Sequence, residues 1–160
     1  MKISRPGAFA YALAALIIVL DQAVKYWIVA VLKLQDLPTV PVLGPLHLTW
    51  VMNPGVSFGF LRADQDLARW ALVVFSLVVA ALIIYWARRA TRGLQALGYG
   101  LIAGGAIGNA IDRARFGAVV DFIDVQRLGF FPWVFNVADS AITVGVVALL
   151  LDSLRRETAA

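Results

Sequence analysis

Asp21, Asp112, Asp121, Asp124 and Asp139 carry most of the chemistry this 160-residue chain offers. A carboxylate inside a membrane helix costs about 2.5–3.5 kcal/mol on insertion scales, so such groups face a polar interior and work there. Two that converge on one water share a proton, because neighbouring like charges resist double ionisation. One then takes a proton from the water, while the other, protonated, polarises a carbonyl and helps an amine to leave. Asp121 stands in Val119-Val120-Asp121-Phe122-Ile123, an acid among apolar neighbours with no obvious local partner. Asp124 reads as a solvated loop residue. Asp139 has a structural alternative, since Asn136-Val137-Ala138-Asp139 resembles a capping box with Asp in the Glu position.

Other chemistries find little support. The chain has no cysteine and a single histidine, His47, which disfavours a zinc site or a Ser/His/Asp triad. The net charge of +4 is scattered over helix ends rather than gathered in a basic face, so nucleic acid is not expected. A serine peptidase using Ser57 or Ser140 with Lys25 would need an uncharged lysine, yet Asp21 lies one turn from Lys25 and holds it charged. A transporter or assembly factor with a polar packing cluster is the remaining alternative. Against a transport path, Ala8 to Leu20 is apolar apart from Tyr11, so polar stepping stones do not cross the full depth.

The elements that must position these groups follow from hydropathy. The chain is 61% hydrophobic and 15% charged, against about 25% charged in ordinary soluble domains. Four apolar runs approach the roughly 20 residues a span requires, and they predict helices over about 8–31, 67–86, 94–112 and 136–154. The first run lacks a small-residue cleavage site and is read as a retained helix rather than a signal peptide. The loops 33–66 and 113–135 hold short strands predicted near Leu46 to Met52, lying at the membrane surface, and Ala118 to Ile123. Asp64 and Asp66 suit the positive start of the second helix. Gly100, Gly104 and Gly108 form a ridge on the third, read as close helix packing. The expected fold is thus a single all-α membrane domain, residues 1–160, with four transmembrane helices and a small extracytoplasmic strand and loop subdomain.

Lys2, Arg5, Arg88, Arg89, Arg92, Arg155 and Arg156 fall in the head, the helix 2–3 loop and the tail. The positive-inside rule assigns all three to the cytoplasm and both long loops to the outer side. The antiparallel spans then gather the aspartates toward that outer side. Helical spacing joins Asp21 with Lys25, Asn109 with Asp112 and Arg113, and Asn136 with Asp139, each set on one face. The bland reading is mutual neutralisation, Asp21 by Lys25 and Asp112 by Arg113.

Five blocks in order carry a resemblance: Asp21-Gln22-x-x-Lys25, Asn53-x-Gly55-x-x-Phe58-Gly59, Gly104-Gly105-x-x-Gly108-Asn109-x-x-Asp112-Arg113, Val119-Val120-Asp121-Phe122 and Phe135-Asn136-x-Ala138-Asp139. Together they resemble lipoprotein signal peptidase, the bacterial signal peptidase II, over essentially the whole chain. The resemblance implies an intramembrane aspartic endopeptidase of the cytoplasmic (inner) membrane. It would cut diacylglyceryl-modified prolipoproteins before the lipidated cysteine, without cofactor or metal, and globomycin-type peptides would inhibit it. It makes Asp121 and Asp139 the catalytic dyad. Asn53, Asn109, Arg113 and Asn136 become polar contacts to substrate or dyad, Asp21, Lys25 and Asp112 support the site, and Gly55 and Gly108 allow close backbone approach. Membrane lipids are expected partners, with the 46–52 and Phe130-Phe131-Pro132-Trp133 segments resting on the interface. Asp139, in a helix's first turn, is expected to be the more readily ionised member, and Asp121, among apolar residues, the protonated one.

Overall fold

The computed structural model describes residues 2–55 and 65–157. It contains four long helices, α1 (Arg5–Tyr26), α2 (Gln65–Ala87), α3 (Gly93–Phe116) and α4 (Val137–Glu157). Each provides a stretch long and apolar enough to cross a membrane. Four strands, β1 (Val40–Leu43), β2 (Leu46–Asn53), β3 (Val119–Asp124) and β4 (Val134–Phe135), form one antiparallel sheet in the order β1-β2-β3-β4. The chain is therefore a helical membrane protein with a small β subdomain.

The termini of the elements differ from the hydropathy reading where polar groups act as caps. α1 begins at Arg5, because the Ser4 hydroxyl accepts the Gly7 N–H at 3.0 Å. Pro6 is tolerated there, since first-turn N–H groups have no intrahelical partner. Past Tyr26 the helix widens into a π-helical turn, Trp27–Val31. α3 continues beyond Asp112 to Phe116 and stops at Gly117, whose φ of 82° favours glycine. Two of the strands, β1 and β4, carry weak signals: β1 contains Pro41 and β4 is two residues long. β2 lies between β1 and β3 in the sheet and is mostly half-buried. Phe58, Gly59, Ser57 and Asp64 lie outside the described residues.

α3 is the central helix. A side chain at Gly100 would strike the Ala10 carbonyl and Leu13, and one at Gly104 the Ala14 carbonyl and Ile17, so this edge of α3 lies against α1. On another face, Gly105 lies against the Ala138 carbonyl, and Gly98 and Gly145 face one another between α3 and α4. Without a hydrophobic force between helices in lipid, such small-residue contacts let backbones approach and gain dispersion energy. The sheet is attached by a separate apolar cluster: Ile28 from the π-helical turn and Leu34 pack against Val120 and Phe122 of β3.

The two ends of the bundle differ. At one, Ser4 donates its N–H to the Arg88 carbonyl at 3.1 Å and its hydroxyl to the Ala90 carbonyl at 2.6 Å. There too Arg92 pairs with Asp152 at 2.8 Å, so the head, the α2–α3 loop and the end of α4 meet. The sheet lies at the other end, with Asp21, Asp112, Asp121 and Asp139.

Packing at Gly105 is tight enough to be tested. Gly105→Ala forces its new methyl group against the Ala138 carbonyl and is expected to cost about 1–3 kcal/mol. Gly93→Ala, with nothing within 4 Å of the new carbon, should leave the melting temperature in detergent unchanged or raised. Equal melting temperatures for both variants would show that the α3–α4 approach is not close.

Candidate active site

The innermost layer is an ion cluster on α1 and α3. Lys25 Nζ lies 2.8 Å from Asp21 Oδ2 and 2.7 Å from Asp112 Oδ2, with all three side chains buried. Gln22 donates to Asp112 Oδ1 at 2.9 Å and to Asp21 Oδ2 at 3.2 Å. Asp112 thus pairs with Lys25 rather than with its sequence neighbour Arg113, which corrects the reading of local neutralisation. Gly108 makes room for this: a side chain there would stand 2.7 Å from Asp21 Oδ2.

The same two carboxylates also hold the backbone of two distant elements. Asp21 Oδ1 accepts the N–H of Ala138 at 3.0 Å, and Asp112 Oδ2 accepts that of Val120 at 3.1 Å. Each supporting aspartate therefore fixes the residue immediately before Asp139 or Asp121. Lys25 joins the two anchors, so the start of α4 and the middle of β3 are referenced to one buried cation.

Asn136 occupies the space between Asp121 and Asp139 and is fully buried. Its side-chain amide donates to Asp121 Oδ1 at 2.6 Å, and its backbone N–H donates to Asp139 Oδ2 at 3.3 Å. In return its Oδ1 accepts the Asp139 N–H at 2.9 Å, completing a reciprocal capping box with Asp in the acidic position. Asn109 on α3 donates to Asp139 Oδ1 at 2.8 Å, and its own Oδ1 accepts from Asn136 at 3.3 Å. From β2, Asn53 donates to Asp121 Oδ2 at 3.0 Å while its Oδ1 accepts the Gly55 N–H at 2.9 Å. Three asparagines from three elements thus supply neutral donors to the two carboxylates.

Asp121 is 1% exposed. Burial pushes its carboxyl up to about 6, and the nearby Asp139 charge adds to this; hydrogen bonds from Asn53 and Asn136 and the field of Lys25 oppose it. Arg113 sits on the outer side of this group, with Nη1 3.5 Å from the Asn109 carbonyl. Gly55, at φ 80°, brings its backbone beside the guanidinium, where a side chain would stand 3.1 Å from Arg113 Nη2. The buried Nε–H of Arg113 has no hydrogen-bond partner among the described residues.

Asp124 takes a different part. It accepts from the Thr49 hydroxyl at 2.6 Å and from the Gln126 N–H at 2.9 Å, closing the turn after β3. Its burial is slight, and these bonds together with His47 and Arg127 hold it below the usual carboxylate range. Ser140 donates its hydroxyl to the Asn136 carbonyl at 2.9 Å, a helix-start contact. Among the described residues no group of His, Cys, Asp and Glu has the arrangement of a metal site. Gln22 was not expected in the site, although its place between Asp21 and Lys25 in a polar group at the end of an apolar run was a usable signal.

Removing Lys25 should be far more costly than a surface ion pair would suggest. Lys25→Met leaves two buried carboxylates without their cation, and about 3–5 kcal/mol of stability is expected to be lost in detergent unfolding. Adding Asp21→Asn and Asp112→Asn should recover part of that loss. A Lys25→Met protein as stable as the parent would mean that the cluster is well solvated.

The model of the family described as signal peptidase (SPase) II matches residues 13–155. A lipoprotein signal peptidase of Caulobacter vibrioides is 55% identical over 158 residues, covering 98% of this chain and 93% of that protein. A lipoprotein signal peptidase of Beijerinckia indica is 43% identical over 91% of this chain and 87% of its own length. The fold is similar to that of a bacterial membrane enzyme solved in meso at 2.3 Å resolution, with TM-score 0.78, 26% identity and coverage of 99% of this chain and 94% of that one. A second such structure, at 1.9 Å resolution, gives TM-score 0.77 at 27% identity over 96% of both chains. A cluster of aspartates and asparagines at one end of four apolar helices and a match that spans nearly the whole chain lead to one conclusion: the chain belongs to the lipoprotein signal peptidase family of membrane aspartic peptidases.

Proposed function

We propose that Asp121 and Asp139 form the dyad of a water-activating endopeptidase that cuts diacylglyceryl-modified prolipoproteins immediately before the lipidated cysteine. The observation that carries this reading is Asn136, which donates to both carboxylates and so binds them into one unit. Asp139 takes the proton of the attacking water. Asp121, held protonated by its burial, donates to the scissile carbonyl as the tetrahedral intermediate forms. As the C–N bond breaks, the proton gained by Asp139 passes to the departing amine, and one hydroxyl of the intermediate returns its proton to Asp121.

The outer side chains fit an extended peptide. Arg113 offers its unpartnered Nε–H to a substrate carbonyl, and Asn53 and Gly55 border the same space. Globomycin-type peptides would occupy it as inhibitors. We assign both termini to the cytoplasm and the dyad to the outer side of the inner membrane, on the strength of the cationic segments gathered at the opposite end. Exposed Phe130 and Trp133, with Val42 and Leu43 of β1, suit contact with membrane lipid at the interface, where a lipid-anchored cysteine would hold the scissile bond.

Purified protein incubated with a diacylglyceryl-modified prolipoprotein tests the dyad. Asp121→Asn and Asp139→Asn should each lower kcat by about 10²–10⁴-fold or more, while Ser140→Ala stays close to the parent. Full cleavage by both Asn variants would eliminate the dyad, and loss in Ser140→Ala alone would favour a serine mechanism.

The pH profile tests the division of labour. With Asp121 as the acid, kcat/KM is expected to fall as pH rises through about 6, as its proton is lost. Asn53 stabilises the Asp121 anion, so Asn53→Ala should raise the carboxyl further and move this alkaline limb to higher pH. A shift to lower pH would reverse the assignment.

A further inference from the structure

We propose that Arg69 on α2 is a positioning residue of the active site, acting through the end of α3; this rests on the peptidase reading above. Arg69 Nε donates to the Arg113 carbonyl and Nη2 to the Ala114 carbonyl, both at 2.7 Å. The last four carbonyls of a helix lack intrahelical partners, and a cation there also complements the negative end of the helix dipole. The Arg113 carbonyl also receives the Gly117 N–H at 3.1 Å, whereas the Ala114 carbonyl has Arg69 as its donor. The planar fork of one guanidinium spans two successive carbonyls, which a lysine ammonium does not reproduce.

What this cap holds is the last turn of α3. That turn carries Arg113, whose guanidinium lies beside Gly55, and it leads into the αL turn at Gly117. Two residues later β3 begins, and with it the segment that delivers Asp121. Asp112 fixes β3 at Val120 from the inner side, and Arg69 fixes the turn that launches it from the outer side. Arg69 is itself held near the start of α2 by Asp66 at 3.7 Å and by its position over the Trp70 ring, 5.1 Å from the centroid. It contacts neither Asp121 nor Asp139, so its effect is on geometry and not on proton transfer itself.

Cleavage kinetics of Arg69→Gln and Arg69→Lys, normalised to folded protein by thermal melts in detergent, test the assignment. Displacing reacting groups by about an ångström costs on the order of 10²-fold in rate, so kcat is expected to fall about 10–100-fold with KM changed less than about threefold. Arg69→Lys should not rescue kcat. Gly117→Ala, which strains the same turn through its positive φ and meets Arg69 Nη1 only at van der Waals distance, 4.0 Å, should show the same split, and it keeps the test open if the Arg69 variants fold poorly. Parental kcat in folded Arg69→Gln, or a raised KM with kcat intact, would overturn the proposal. Asp121→Asn and Asp139→Asn run in parallel separate this outcome from failure of the dyad, which would show instead as activity retained in those variants.

Discussion

The arrangement depends on one buried ammonium. Lys25 holds Asp21 of α1 and Asp112 of α3 together, and those same carboxylates hold the backbone just before Asp139 and Asp121, Asp21 through its second oxygen and Asp112 through the oxygen that also faces Lys25. Burying such a cluster is expensive, and an apolar core of the same volume would often be as stable. What an apolar core lacks is direction. A carboxylate that must accept a lysine and a backbone N–H at the same time has few orientations open to it, and that restriction is transmitted to the neighbouring Asp121 and Asp139.

Glycine makes the cluster possible. Asp21 reaches the α3 surface because position 108 has no side chain, and the helices stay close enough because positions 100 and 104 have none either. The ridge expected from the sequence as pure packing is therefore of two kinds. Gly100 and Gly104 meet apolar side chains and backbone of α1, whereas Gly108 meets a carboxylate. Close packing and site geometry share one face of one helix, so a substitution there alters both.

Asn136 shows the same economy between Asp121 and Asp139. Its side chain caps α4 through Oδ1 and engages Asp121 through Nδ2, while its backbone N–H engages Asp139. The capping-box alternative weighed for Asp139 and the site role are thus not rivals. A helix start supplies backbone donors and a favourable dipole for a carboxylate, and Asn136 places a second carboxylate against the same residue. Among the described residues the three side-chain donors to Asp121 and Asp139 are neutral amides, which lower the Asp121 carboxyl less than a contacting arginine would and leave it raised to about 6.

Hydropathy and spacing by themselves determined the four helices, two of the four strands and the type of residue at the site, because a membrane span and a period-2 strand are local patterns. Five ordered motif blocks likewise carried the family. Local patterns do not report which distant groups meet. Asp112 stands next to Arg113 in sequence, yet tertiary packing gives it Lys25, 87 positions away in the numbering. Gln22 is legible as polar but not as the amide linking two carboxylates, and nothing local marks Arg69, whose role exists only because α3 ends against it. β1 and β4 were missed because a proline-containing strand and a two-residue strand exist only through their partners. The residue types were set by the chain; their partners were decided by which helix ends the bundle brought together.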